Sequence, residues 1–152
     1  MSVFALVRPD SRNFPLFVHV LGAMLLVGAV TLAASAMLLA WRNGELTMVR
    51  LGNRALLLGA IPAWVIMRVG AQWIANKEQL ENSDVSWIGT GFGIADGGVV
   101  FLLVATLLSW LAVRRATRDQ STGVLRRVAA AMVMVLLVLF LVAVWAMTTK
   151  PT

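Results

Sequence analysis

Gly59-Ala-Ile-Pro-Ala-Trp-Val-Ile-Met-Arg-Val-Gly-Ala-Gln-Trp73 is the stretch that decides how the chain is read. It lies inside an apolar run from about residue 53 to 75, long enough to cross ~30 Å of hydrocarbon as a helix. Yet it carries Arg68 and Gln72 well inside that run. Hydrocarbon offers a guanidinium nothing, so Arg68 must find a partner, reach the headgroups or face water. Pro62 removes one backbone hydrogen bond from the same span and is expected to kink it.

Three further apolar runs surround this one, at about 14–41, 87–113 and 124–147. Four spans predict an all-α fold, a four-helix transmembrane bundle running up-down-up-down, with residues 1–152 as a single integral membrane domain. The composition agrees: 60% of the 152 residues are hydrophobic, only 13% are charged, and mean hydropathy is +0.86. Cysteine is absent from the sequence, which excludes disulfides, thiolate catalysis and Cys-ligated metal. No Gly-rich phosphate loop, Ser–His–Asp set, carboxylate pair or HExxH motif is present, and the reading is non-enzymatic. The first run has no positively charged leader or small-residue cleavage site and reads as a retained span.

The net charge of +6 would suggest nucleic acid in a soluble protein, but here no nucleic-acid partner is expected. Loop one, Arg42 to Arg54, holds Arg42, Arg50 and Arg54 against Glu45. Loop three holds Arg114, Arg115, Arg118, Arg126 and Arg127 against Asp119. The tails and loop two hold only Arg8, Arg12, Lys77 and Lys150. By the positive-inside rule, loops one and three face the cytoplasm and both termini face outward. Trp41 and Trp110 then mark the inner interface, and Trp73, Trp87 and Trp145 the outer one. Eleven arginines against two lysines, among many Ala, Val and Leu, point to a GC-rich bacterial genome and hence a bacterial inner membrane.

Helical rise places His19 ~9 Å below Asn13, Arg68 ~12 Å below Asn76 and Asp96 ~15 Å below Ser86. All three fall in the outer half of the bilayer on different helices, and with Gln72 and Trp64 they read as one buried polar site. Arg68 has two outlets, an ion pair with Asp96 or snorkelling to the headgroups. Asp96 precedes Gly97-Gly98 and reads either as the pair's carboxylate or as a helix cap. His19 reads as a neutral ring hydrogen-bonded to a neighbouring helix, or as a metal or haem ligand with Met67 or Met147 as second axial partner. Small residues supply the packing faces: Gly22 within the stripe His19, Gly22, Leu26, Ala29, Ala33, Ala36 and Ala40, and Gly89, Gly93 and Gly97 in span three. The glycine face of span three also suits a homodimer.

Phe17-Val-His-Val-Leu-Gly-Ala-Met-Leu-Leu-Val-Gly-Ala29 resembles the opening helix of a group of small bacterial four-helix integral membrane proteins that includes copper-resistance D-type membrane proteins. His19, Gly22 and Gly28 carry the resemblance, together with the four-span layout and the Trp87-Ile88-Gly89 start of span three. It implies an inner-membrane protein, with metal or haem carriage by His19 as the expectation. The chain departs from a copper-handling pattern in lacking further His and Met clusters.

Three functions are compatible with these residues. The first is a small non-enzymatic polytopic protein whose outer-leaflet polar site binds a small ligand or a partner helix, in contact with the lipid bilayer and with a homodimer or membrane-complex partner. The second is an electron-transfer protein holding haem b or quinone through His19. The third is a small transporter or ion pathway using Arg68 and Asp96.

Overall fold

A computed structural model describes residues 10–78, 86–118 and 121–148, and all the regular structure among them is helical. Helix α1 spans Asp10–Asn43, α2 Leu46–Arg54, α3 Ile61–Glu78, α4 Ser86–Ala116 and α5 Gly123–Thr148. A π-helical segment, Ala55–Ala60, joins α2 to α3, so these three form one rod. The architecture is an up-down-up-down four-helix bundle. Four stretches are long and apolar enough to cross a membrane: Asn13–Asn43, Leu46–Asn76, Asp96–Ala116 and Gly123–Trp145. Glu81, Asp84 and Asp119, and the side-chain surroundings of Lys77, Trp87, Gly89 and Met147, lie outside the described residues.

Loop one is much shorter than the sequence suggests. Leu46, Val49 and Asn53 recur on one face of α2 and pack inward, while Arg50 and Arg54 take the exposed face. Only Gly44 and Glu45 remain as a turn. Gly44 adopts φ 76°, a left-handed conformation that closes α1 with its N–H donating to the Ala40 carbonyl at 3.0 Å. At the other end, α1 is already helical at Asp10, so Pro15 lies inside the helix, where it is buried.

The expected effect of Pro62 appears as a change of helical type. Pro62 lacks an N–H and its ring crowds the carbonyl four residues back. The preceding turn widens, and the Ile61 N–H donates to the Leu56 carbonyl, five residues back.

Small residues let the rods approach. Leu26, Ala33, Ala36 and Ala40 of the predicted α1 stripe are buried. The central core joins Leu26 and Val30 of α1, Leu56 and Ala60 of the π segment, Leu102 and Ala105 of α4, and Val133 and Leu136 of α5. The closest approach is between α1 and α3. A Cβ at Gly22 would overlap the Met67 backbone nitrogen and lie 2.7 Å from its Cα. A Cβ at Gly70 would lie 2.6 Å from the His19 nitrogen and 2.8 Å from its Cα. Each glycine thus seats the other helix's backbone.

The α4 glycines behave otherwise. Among the described residues, a Cβ at Gly93 or Gly97 would meet nothing within 4 Å. No described residue packs against them, and α3 and α4 touch little. Gly98, one residue on, faces Phe140 of α5 instead.

These geometries make Gly22→Ala and Gly70→Ala each destabilising by about 1–3 kcal/mol, the usual cost of overpacking a close contact. Gly93→Ala is expected to stay within about 0.5 kcal/mol of wild type. Thermal unfolding in detergent checks this. Wild-type stability for Gly22→Ala and Gly70→Ala would contradict the crossing.

Candidate functional site

The crossing of α1 on α3 sets the register of the polar residues. His19, one turn before Gly22, places its Nδ1 3.0 Å from the Met67 carbonyl oxygen. A carbonyl only accepts, so Nδ1 carries the proton and donates. In a neutral ring this leaves Nε2 with the free lone pair. Phe14 packs edge-on against Trp73, with centroids 5.9 Å apart, and ties the start of α1 to the last turns of α3.

Met67 facing α1 turns the next residue, Arg68, toward α4. Arg68 Nε donates to Asp96 Oδ1 at 2.9 Å and Nη2 donates to Oδ2 at 3.4 Å, a two-pronged ion pair. Nη1 donates to Gln72 Oε1 at 2.9 Å, and Gln72 Nε2 donates to Asn76 Oδ1 at 3.0 Å. Residues 68, 72 and 76 are one turn apart, so the ladder climbs α3 for about 12 Å. Asp96 lies ten residues into α4 and is not a helix cap.

The pair is not buried as expected: the Arg68 and Asp96 side chains are 26% and 55% exposed. The reason is the sparse contact between α3 and α4, which leaves the long arginine to bridge the two helices on the flank of the bundle. Trp64, one turn below Arg68, packs against the apolar core instead. The structure therefore brings Arg68, Asp96 and Gln72 together, and sets His19 apart from them on the α1 side of α3.

A second polar cluster escaped the sequence reading. Asn53 Nδ2 donates to Ser109 Oγ at 2.8 Å and to the Thr106 carbonyl at 3.2 Å. Ser109 Oγ in turn donates to the Thr106 carbonyl at 2.8 Å, and all three residues are buried. This knot holds α2 to α4 near the arginine-rich end. Its signal was Thr106 and Ser109, two hydroxyls one turn apart in an apolar run, opposite an amide read as a span boundary.

On the far side of the molecule, α1, the π segment and α3 enclose an apolar groove of about 430 Å³ lined by Met24, Gly28, Leu32, Leu58, Pro62 and Ile66. Among the described residues, no group of three or more His, Cys, Asp or Glu could hold a metal ion. The chain matches no protein-family model, no curated protein and no solved structure.

A double-mutant cycle over Arg68→Leu and Asp96→Leu, measured as stability in detergent, is expected to show coupling of about 1–2 kcal/mol. That is the upper range for interhelical polar contacts in membranes, strengthened by the charges. Additivity within about 0.3 kcal/mol would mean that the pair does not form.

Proposed function

We propose that the chain is a small non-enzymatic polytopic membrane protein whose outer-leaflet polar site, Asp96, Arg68 and Gln72, docks a partner helix, and that this helix is α4 of a second copy. The observation that carries the reading is the openness of the ion pair. An ion pair at this depth of a spanning bundle with Asp96 55% exposed is costly against lipid and gains from cover. Beside it, Gly93 and Gly97 offer a flat strip with no neighbour among the described residues, and Val100, on the same face, is exposed. A helix needs such small residues to come close in lipid, where hydrophobic burial gives no drive. Two α4 helices meeting about an axis along the membrane normal would form a self-complementary interface. The eight arginines of loops one and three support a bacterial inner-membrane orientation with both termini outside.

The ladder from Asp96 through Arg68 and Gln72 to Asn76 supports a second reading, an ion or proton pathway. Proteoliposome flux abolished by Asp96→Asn would favour it. Haem on His19 fits less well. The described residues offer Nε2 of one imidazole, and the Met67 side chain packs against the core cluster.

The cysteine-free chain makes the docking test direct. Val100→Cys in oxidised membranes is expected to give a disulfide-linked dimer, and adding Gly97→Leu to remove it. Val142→Cys, equally lipid-facing on α5, is expected to stay monomeric. No dimer from Val100→Cys, or equal dimer from Val142→Cys, would overturn the reading.

A further inference from the structure

The end of the bundle opposite the polar site carries a ring of positive charge. Eight arginines and no lysine fall within residues 42–54 and 114–127, against two carboxylates, Glu45 and Asp119. The fold gathers both stretches at one end, where α1 and α4 finish and α2 and α5 begin. A small core layer fixes their height: Met37 and Ala40 of α1, Val49 of α2, Ala112 of α4 and Ala130 of α5, with Val113 and Leu125 packed against them. Arg50, Arg114 and Arg126 directly follow Val49, Val113 and Leu125, so arginines from three helices are attached at one level of the bundle.

Two of these arginines serve the bundle itself. Arg126 Nη1 donates to the Gly44 carbonyl at 2.9 Å and ties the start of α5 to the α1–α2 turn. Arg114 lies over the Trp110 ring, 5.2 Å from its centroid. The other six, Arg42, Arg50, Arg54, Arg115, Arg118 and Arg127, are exposed. Among the described residues the one ion pair is Arg68–Asp96, so none of the six is held by a carboxylate there.

We infer that this arginine ring is a recognition surface for the headgroups of anionic phospholipid. Orientation alone asks only for positive charge, which lysine supplies as well. Arginine adds a planar fork of N–H donors that meets two phosphate oxygens at once. The ring lies at the ends of the apolar spans, beside the exposed rings of Trp41 and Trp110, which is where headgroup phosphates lie. Uncompensated charge at that level is complementary to a phosphodiester layer. A soluble anion would not need the ring to coincide with the span ends.

The test uses the full chain in neutral detergent, offered equal amounts of phosphatidylglycerol and phosphatidylcholine of the same chain length, with retained lipid counted by native mass spectrometry. Wild type is expected to retain the anionic lipid in preference, and added salt to weaken that preference. A variant with Arg50, Arg115, Arg118 and Arg127 all changed to Gln, which leaves Arg114 and Arg126 intact, is expected to lose the preference by about fivefold or more. The same four positions changed to Lys preserve the charge and are expected to retain more of it than the Gln variant. Equal retention of both lipids by wild type overturns the inference, as does full wild-type preference in the Lys variant, which would show that charge alone suffices. So does loss of the preference to excess inorganic phosphate at matched ionic strength, which would mark a small-anion site. Displacement of the anionic lipid by a single-stranded oligonucleotide at equal concentration would assign the ring to nucleic acid and overturn it too.

Discussion

The contact on which the rest of this molecule depends is the seating of α1 and α3 on one another's backbones. Gly22 receives the Met67 backbone and Gly70 receives the His19 backbone, so at these two points backbone seats directly on backbone. In lipid there is little hydrophobic gain in bringing helices together, and close packing with interhelical hydrogen bonds must supply the attraction. His19 provides such a bond at the same place, donating from Nδ1 to the Met67 carbonyl. Dispersion from backbone contact and one polar bond thus coincide within a turn of helix.

The polar site follows from that seating. With Met67 and Gly70 turned to α1, Arg68 and Gln72 are rotated toward α4. At the arginine end, α4 is held to the rod by the Asn53–Ser109–Thr106 knot. Farther along, α3 and α4 make few contacts, and the Arg68 side chain closes the distance to Asp96. An ion pair is a weak way to hold helices where desolvation opposes it, and here it stands on an open flank. On the proposed reading, that placement makes it a docking element rather than a structural bolt.

Much of this was legible in the residues. Four long apolar runs predict four membrane-crossing helices, and four helices long and apolar enough to cross a membrane form. Arg68 and Asp96, charges in runs that exclude charge, pointed to each other because an unpaired one is costly. Other features hid behind local composition. Three arginines made Arg42–Arg54 look like a loop, although Leu46, Val49 and Asn53 share a helical face. Pro62 announced a disturbance but not its form, since kinking and π widening relieve the same crowding. The glycine spacing of α4 suggested a packing face, but among the described residues no neighbour lies against Gly93 or Gly97, and spacing alone does not say what would. Gly70 has no glycine partner at four residues; what it receives is the His19 backbone of another helix.

One measurement bears most directly on the α1–α3 crossing. The chain has a single histidine, so isotope-labelled imidazole nitrogen NMR in bilayers reports His19 without assignment. In the neutral ring the spectrum distinguishes the two tautomers. The seated crossing predicts a proton on Nδ1 and a bare Nε2, with a Gly70→Leu variant losing that bias. A proton on Nε2, or a spectrum averaged between the two tautomers in the wild-type chain, would contradict the contact on which this structure turns.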